Sequence, residues 1–401
     1  MVAKPARCCY RAAQAIWVLG PMTGNGAAAP RPAAAHEALL ALFEDRGYAR
    51  VEPPVLQPVE PFLELSGEDI RRRIFITQDG AGAELCLRPE YTIPVGRHHR
   101  AVADGQAADY SYLGPVFRLR AAEPDEFHQA GIESIGRTDV PAADAEILGL
   151  ALDGLDRLGR REHQGPFAQV RLGDMGLITA LLDALNVQPA AKRRTLRAVA
   201  AGRSLDAIAA PVAVDAAHAG LLAAIQGQDP QGVRAFVEDV LAIAGISRVG
   251  GRTAGEIAER FLAKAAAHAE GGAGLGSKAR EVLDAYLALT GDPDAAALAA
   301  RDLARRAGLD DPRLEAALAL FEERNGFIAA RGLPLERFVF TGSFARNLDY
   351  YTGFIFEVGQ DGEKPVVGGG RYDGLLQHLG SRDALPAVGC SFWLERLEGA
   401  R

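Results

Sequence analysis

No part of this chain restricts its fold as much as Tyr112 to Gly136, YLGPVFRLRAAEPDEFHQAGIESIG. Tyr112, Leu113, Val116 and Phe117 are apolar and β-prone, and predict a strand. A polar, acidic loop follows over 119–126, where Pro124 breaks any regular element. A second strand is predicted from Phe127 to Ile135. Side chains alternate in a strand, so Phe127, Gln129, Gly131 and Glu133 share one face. His128, Ala130, Ile132 and Ser134 share the other. If the two strands pair as a hairpin, Arg118 reaches the space into which Gln129 and Glu133 project. An Arg, a Gln and a Glu converging on one sheet face suit a small zwitterionic ligand. The competing reading is a solvated hairpin face.

Composition narrows the choice of function. Lys and Arg number 44 against 52 Asp and Glu, a net charge of −8. That argues against a broad nucleic-acid footprint, which needs a basic face. The four cysteines, Cys8, Cys9, Cys86 and Cys390, form no CxxC pair, so no disulfide framework or zinc site is implied and a reducing cytoplasm fits. No apolar run approaches membrane-spanning length, and no cofactor or metal is expected. Residues 1–35 read as a disordered extension, with Met22 as an alternative start; a signal peptide fits poorly because Gln14 breaks a short apolar core.

Along the chain, a helix is predicted from His36 to Arg46, then an extended segment with Pro53 and Pro54, unsuited to a central strand. A hairpin follows from Arg71 to Arg88. Glu90 and Thr92 stand where strand gives way to helix. Another helix runs from Ala143 to Gly159, a strand from Phe167 to Leu172, and a helix capped by Asp174. Residues 183–332 are Ala-rich and read as a helical insertion, with helices at Gly232–Ala244, Ala254–His268, Lys278–Leu289 and Arg313–Ala330. The sheet resumes at Arg337. Arg346, Asp349, Tyr350 and Tyr351 cluster in a turn, and Gly368 to Gly370 mark a close backbone approach.

Taken together, LRPEYT (87–92), GPVFR…FHQAGIESIG (114–136), ARNLDYYTG (345–353), GGGRYDGL (368–375) and VGCSFWLERL (388–397) resemble histidyl-tRNA synthetase in order and spacing. The resemblance covers about 36–180 and 335–398. It implies an α+β fold, a class II synthetase-like antiparallel sheet flanked by helices over 36–182 and 333–401, that self-dimerises through the segment holding Pro53 and Pro54. It also implies a histidine site. Glu90, Thr92 and Gln129 would hold the α-amino group, and Arg346 would face the carboxylate or activated carbonyl. Glu133 with Tyr350 or Tyr351 would hold the imidazole, and Arg118 lies beside them.

The pattern departs from a working synthetase. Arg118-Leu119-Arg120 puts a cation where the family carries an ATP-holding acid. The loop over 119–126 is short and acidic, which repels phosphate. Trp393 follows Gly389 and Ser391 where a third small residue would admit adenine. Tyr91 and Asn347 stand where synthetases carry Gly, and an anticodon-binding domain after the third motif is not expected. This combination resembles the regulatory-subunit family of ATP phosphoribosyltransferase. The resemblance implies a chain without catalysis of its own that partners the short catalytic subunit in a hetero-octamer, with L-histidine as effector and no tRNA. The alternative is a truncated synthetase-like enzyme that still adenylates histidine.

Overall fold

The computed structural model describes residues 34–65, 68–121, 123–158, 169–205, 275–333, 335–346, 350–359 and 364–399, with a few positions between 232 and 253. The readings for the first 33 residues, for the helices at 232–244 and 254–268, for the start of the Phe167 strand, and for Asn347 and Asp349 lie outside them. Helix α1 (Ala34–Glu44) leads into β1 (Ala49–Arg50) and β2 (Leu56–Pro58), then the short helices α2 (Glu60–Leu65) and α3 (Glu68–Arg71). The expected hairpin is β3 (Ile76–Gln78) and β4 (Glu84–Leu87), followed by α4 (Thr92–Ala103). The long strands β5 (Ala108–Phe117) and β6 (Glu126–Ile135) precede α5 (Val140–Arg157), β7 (Val170–Asp174), α6 (Met175–Ala184) and α7 (Pro189–Ala200). Asp174 caps α6, accepting from the N–H groups of Gly176 and Leu177.

Strands β8 (Arg248–Val249) and β9 (Arg252–Thr253) form a small pair. Then come α8 (Ser277–Leu287), β10 (Thr290–Gly291), α9 (Pro293–Arg306) and α10 (Pro312–Ala330). The chain continues through β11 (Phe338–Thr341), β12 (Phe354–Val358), β13 (Val367–Arg371), α11 (Leu375–His378), β14 (Ala387–Trp393) and α12 (Leu394–Gly399).

The main sheet has nine strands in the order β1-β5-β6-β14-β13-β12-β7-β11-β10. The expectation of an antiparallel sheet needs one correction, because the sheet is mixed. β1 pairs with β5, and β7 with β11, in parallel. Parallel neighbours need a long crossover, and the chain supplies one over 51–107 and another over 175–337. The second crossover is the stretch read as helical insertion. Within it β10 joins the main sheet beside β11, and α10 carries Arg324 into the core. Among the described residues no helix is long and apolar enough to cross a membrane.

Helices cover both faces of the sheet. On one, Leu39 and Phe43 of α1 and Ile147 and Leu148 of α5 pack with Ala130 and Ile132 of β6. On the other, Phe62, Ile93, Tyr112, Phe127, Tyr372 and Trp393 form a second core. The period-2 reading of the second hairpin strand therefore holds. The solvated-face reading does not, because Gln129 and Glu133 are each 1% exposed.

Candidate histidine pocket

The hairpin register sets Tyr110 opposite Glu133 and Gly114 opposite Gln129, and the Arg118 N–H closes the loop on the Asp125 carbonyl at 2.8 Å. On the other side of β6, β14 sets Gly389 against Glu133 and Trp393 against Gln129. Above these strands lies a cavity of about 210 Å³. Seven of the eight expected residues line it: Glu90, Thr92, Arg118, Gln129, Arg346, Tyr350 and Tyr351.

Glu133 is set one layer deeper. Its Oε1 accepts from Thr92 Oγ1 at 2.8 Å and from the Tyr112 hydroxyl at 3.3 Å, and its Oε2 accepts from the Tyr372 hydroxyl. Burial, with Glu90 adding in the same direction, pushes this carboxyl up to about 8 against the pull of the three hydroxyls. Gly389 makes the arrangement possible. A Cβ there would sit 1.7 Å from Glu133 Oε2 and 2.6 Å from the Ile132 carbonyl oxygen. The carbonyl is backbone and cannot swing aside. Gly389→Ala is therefore expected to cost about 1–3 kcal/mol, read as a lower urea midpoint. An unchanged midpoint would show that the strands have slack here.

Glu90 caps the start of α4, accepting from the backbone N–H groups of Thr92 at 2.7 Å and Ile93 at 2.9 Å. Burial raises its pKa, while those N–H groups and nearby Arg118 oppose the rise. Arg118 donates through Nε to the Pro89 carbonyl at 2.6 Å, and its own burial lowers it to about 10. Gln129 differs from its neighbours: its Oε1 is buried at the cavity wall without a hydrogen-bond partner. An orphaned acceptor in a cavity of this size favours a ligand that brings an N–H.

Tyr91, the bulky substitute for Gly, stays out of the cavity. Its ring stacks on Tyr112 with centroids 4.3 Å apart, under the Arg88 guanidinium at 4.2 Å. Gly114 leaves room for it, since a Cβ there would lie 2.2 Å from the Tyr91 hydroxyl. Trp393 does line the cavity, and the guanidinium groups of Arg346 and Arg396 stack on its indole at 5.4 and 4.9 Å. Arg346 also pairs with Glu357 at 3.0 Å and crosses over Gly368, where a Cβ would strike its Nη1. The triple glycine thus admits a side chain and neighbouring strands.

Glu123 of the acidic loop is neutralised by cations from the loop and from later in the chain. Glu123 pairs with Arg120, with Lys364 at 2.5 Å and with Arg396 at 3.7 Å. Although partial burial would raise it, hydrogen bonds from Lys364 and Arg120 hold this carboxyl down at about 2.

Sequence reasoning missed Tyr372 and Tyr112, two of the three hydroxyls on Glu133. Tyr112 alternates onto the cavity side of its strand, and Tyr372 stands two residues after the triple glycine. Both signals were present in the pattern. Buried Cys86 and Cys390 are free thiols, and no cluster among the described residues has the make-up to hold a metal.

The family model described as histidyl-tRNA synthetase matches residues 26–244 and 232–397. The ATP phosphoribosyltransferase regulatory subunit of Rhizobium etli (strain CIAT 652) is 40% identical over 370 residues, covering 90% of this chain and 96% of that protein. The chain belongs to the histidyl-tRNA synthetase-like family of ATP phosphoribosyltransferase regulatory subunits. The protein of the same name from Agrobacterium fabrum (strain C58 / ATCC 33970) is 40% identical over 368 residues, covering 90% of this chain and 96% of its own. Among solved structures, an ATP phosphoribosyltransferase regulatory subunit/histidyl-tRNA synthetase from Bacillus halodurans C superposes with a TM-score of 0.58 at 21% identity, over 91% of this chain and 78% of that one. A histidine–tRNA ligase subunit from Alicyclobacillus acidocaldarius gives 0.57 at 24%, over 94% and 96%. At these identities the likeness establishes the fold.

Proposed function

We propose that this chain is the non-catalytic regulatory subunit of ATP phosphoribosyltransferase. In this reading it activates the short catalytic subunit in the first step of histidine biosynthesis and confers histidine feedback inhibition on it. It self-dimerises and joins the partner in a hetero-octamer, without binding tRNA. The observation that carries the histidine assignment is the unpartnered Gln129 Oε1 in a polar cavity backed by Glu133. The ligand's α-ammonium meets Gln129 and Glu90. Its carboxylate meets Arg118 or Arg346, and Tyr350 and Tyr351 flank its ring. Tyr372 donates its proton to Glu133, so its lone pairs are left to accept the imidazole N–H. Glu133 thus reads the ring through a hydroxyl. Catalysis is disfavoured where the nucleotide would lie, because Trp393 stands there under two guanidinium groups and Glu123 occupies Arg120, Lys364 and Arg396.

Calorimetric titration of the chain with L-histidine is expected to show one saturable site per chain that rejects L-phenylalanine, which lacks the ring N–H. Absence of saturable heat would remove the effector assignment. Added to the short catalytic subunit, the chain should restore phosphoribosyl transfer and make it histidine-sensitive. Histidine-dependent exchange of pyrophosphate into ATP by the chain alone would instead favour an adenylating enzyme.

A further inference from the structure

A second, larger cavity of about 390 Å³ lies against the first, and Tyr350 and Tyr351 line both. Its walls come from α2 (Leu65), α6 (Met175, Thr179), α7 (Leu196) and α11 (Leu375, His378). Leu65, Met175 and Leu375 are buried, so the interior is apolar. Two cations stand at its edge. Arg193 and Arg197 are four residues apart on α7 and therefore share a face. Neither has a carboxylate partner among the described residues, whereas neighbouring Lys192 is paired with Asp183 at 2.6 Å. Two like charges at this spacing repel unless an anion lies between them. His378 adds a third polar group. Its Nδ1–H donates to the Gly374 carbonyl at 2.7 Å, so Nε2 is left without that role. Glu64 is the one carboxylate on the wall, and it is exposed.

We infer that this second cavity is a binding site for a small anion with a flat apolar body, the acid group held between Arg193 and Arg197 and the body packed on Leu65, Met175, Leu196 and Leu375. Guanidinium pairs suit phosphate, sulfonate or carboxylate groups, and the volume suits a single ring system. The site shares only the Tyr350 and Tyr351 wall with the first cavity and does not depend on the histidine reading.

Phenyl phosphate is the probe, titrated calorimetrically into the full chain at low salt. One saturable site is expected, with inorganic phosphate and phenol each binding at least tenfold more weakly. The double substitution Arg193→Gln with Arg197→Gln should weaken phenyl phosphate at least tenfold; both residues are exposed, so the thermal midpoint should not move. Leu196→Trp fills the cavity without touching the charges and should weaken binding similarly. Gln129→Leu, in the first cavity, should leave it unchanged. The inference is overturned by absence of saturable binding, by equal binding of inorganic phosphate, by insensitivity to either cavity variant, or by loss of binding in Gln129→Leu.

Discussion

Asp144→Asn is expected to destabilise the protein by about 3–5 kcal/mol, seen as a fall in the urea midpoint at unchanged slope. Asp144 has no exposed surface and serves two buried cations. Its Oδ2 accepts from Arg324 Nε at 2.8 Å, and its Oδ1 accepts from Arg371 Nε at 2.8 Å. Arg324 also pairs with Asp174 at 2.8 Å, the residue that caps α6. Two acids and two bases from α5, β7, α10 and β13 balance each other inside the core. Removing one acid leaves two cations over one buried carboxylate, and that imbalance is what costs. In the cycle with Arg324→Met, the double variant should lose less than the sum of the singles. A loss under about 1 kcal/mol would mean water reaches the cluster and screens it.

The second large effect concerns Glu133. Its carboxyl lies at about 8 in the folded protein against an ordinary 4.5. Between those values the folded state binds more protons than the unfolded state, so stability falls as pH rises through this window, by up to about 1.4 kcal/mol per pH unit. The penalty is absent at the acid end and complete above about pH 8. Glu133→Gln removes the titrating group. The variant should therefore gain on the wild type as pH goes from 5 to 8, measured as urea midpoints at each pH. The same change disturbs the acceptor that orients the Tyr372 hydroxyl and should weaken L-histidine about 3- to 10-fold, the worth of one neutral hydrogen bond, while activation of the catalytic subunit survives. Parallel stability profiles for the two proteins would show that Glu133 carries no proton in the empty pocket. Lost activation with normal inhibition would make it structural.

How much was legible in the residues alone depends on the range of the interaction. Alternation in 127–135 separated the faces of β6 correctly, because a strand's period is a local property. Asp174 was legible as a cap for the same reason, since a cap acts on N–H groups two and three residues on. The eight candidate site residues came from motif resemblance, and seven of them line one cavity. The depth of Glu133 was not legible: it depends on Tyr372, 239 residues away in the chain, and on Gly389, which leaves room for its carboxylate. The acidic loop was read by its own charge as repelling phosphate. In the fold Lys364 and Arg396 arrive from elsewhere and neutralise Glu123. Tyr91 looked disruptive in place of a glycine until Gly114, across a strand, proved to make its space.

The residues by themselves therefore determined which side chains face together along the second hairpin strand, that Asp174 caps a helix, and seven side chains that share one cavity wall. Only the tertiary structure decided that the sheet is mixed, that Asp144 joins Arg324 to Arg371, and that Tyr372 stands between Glu133 and the cavity. Periodicity and capping act over a few residues and leave their mark in a short window. Sheet order, buried charge balance and cavity shape depend on groups from distant segments meeting at hydrogen-bond distance, and a short window holds no record of such meetings.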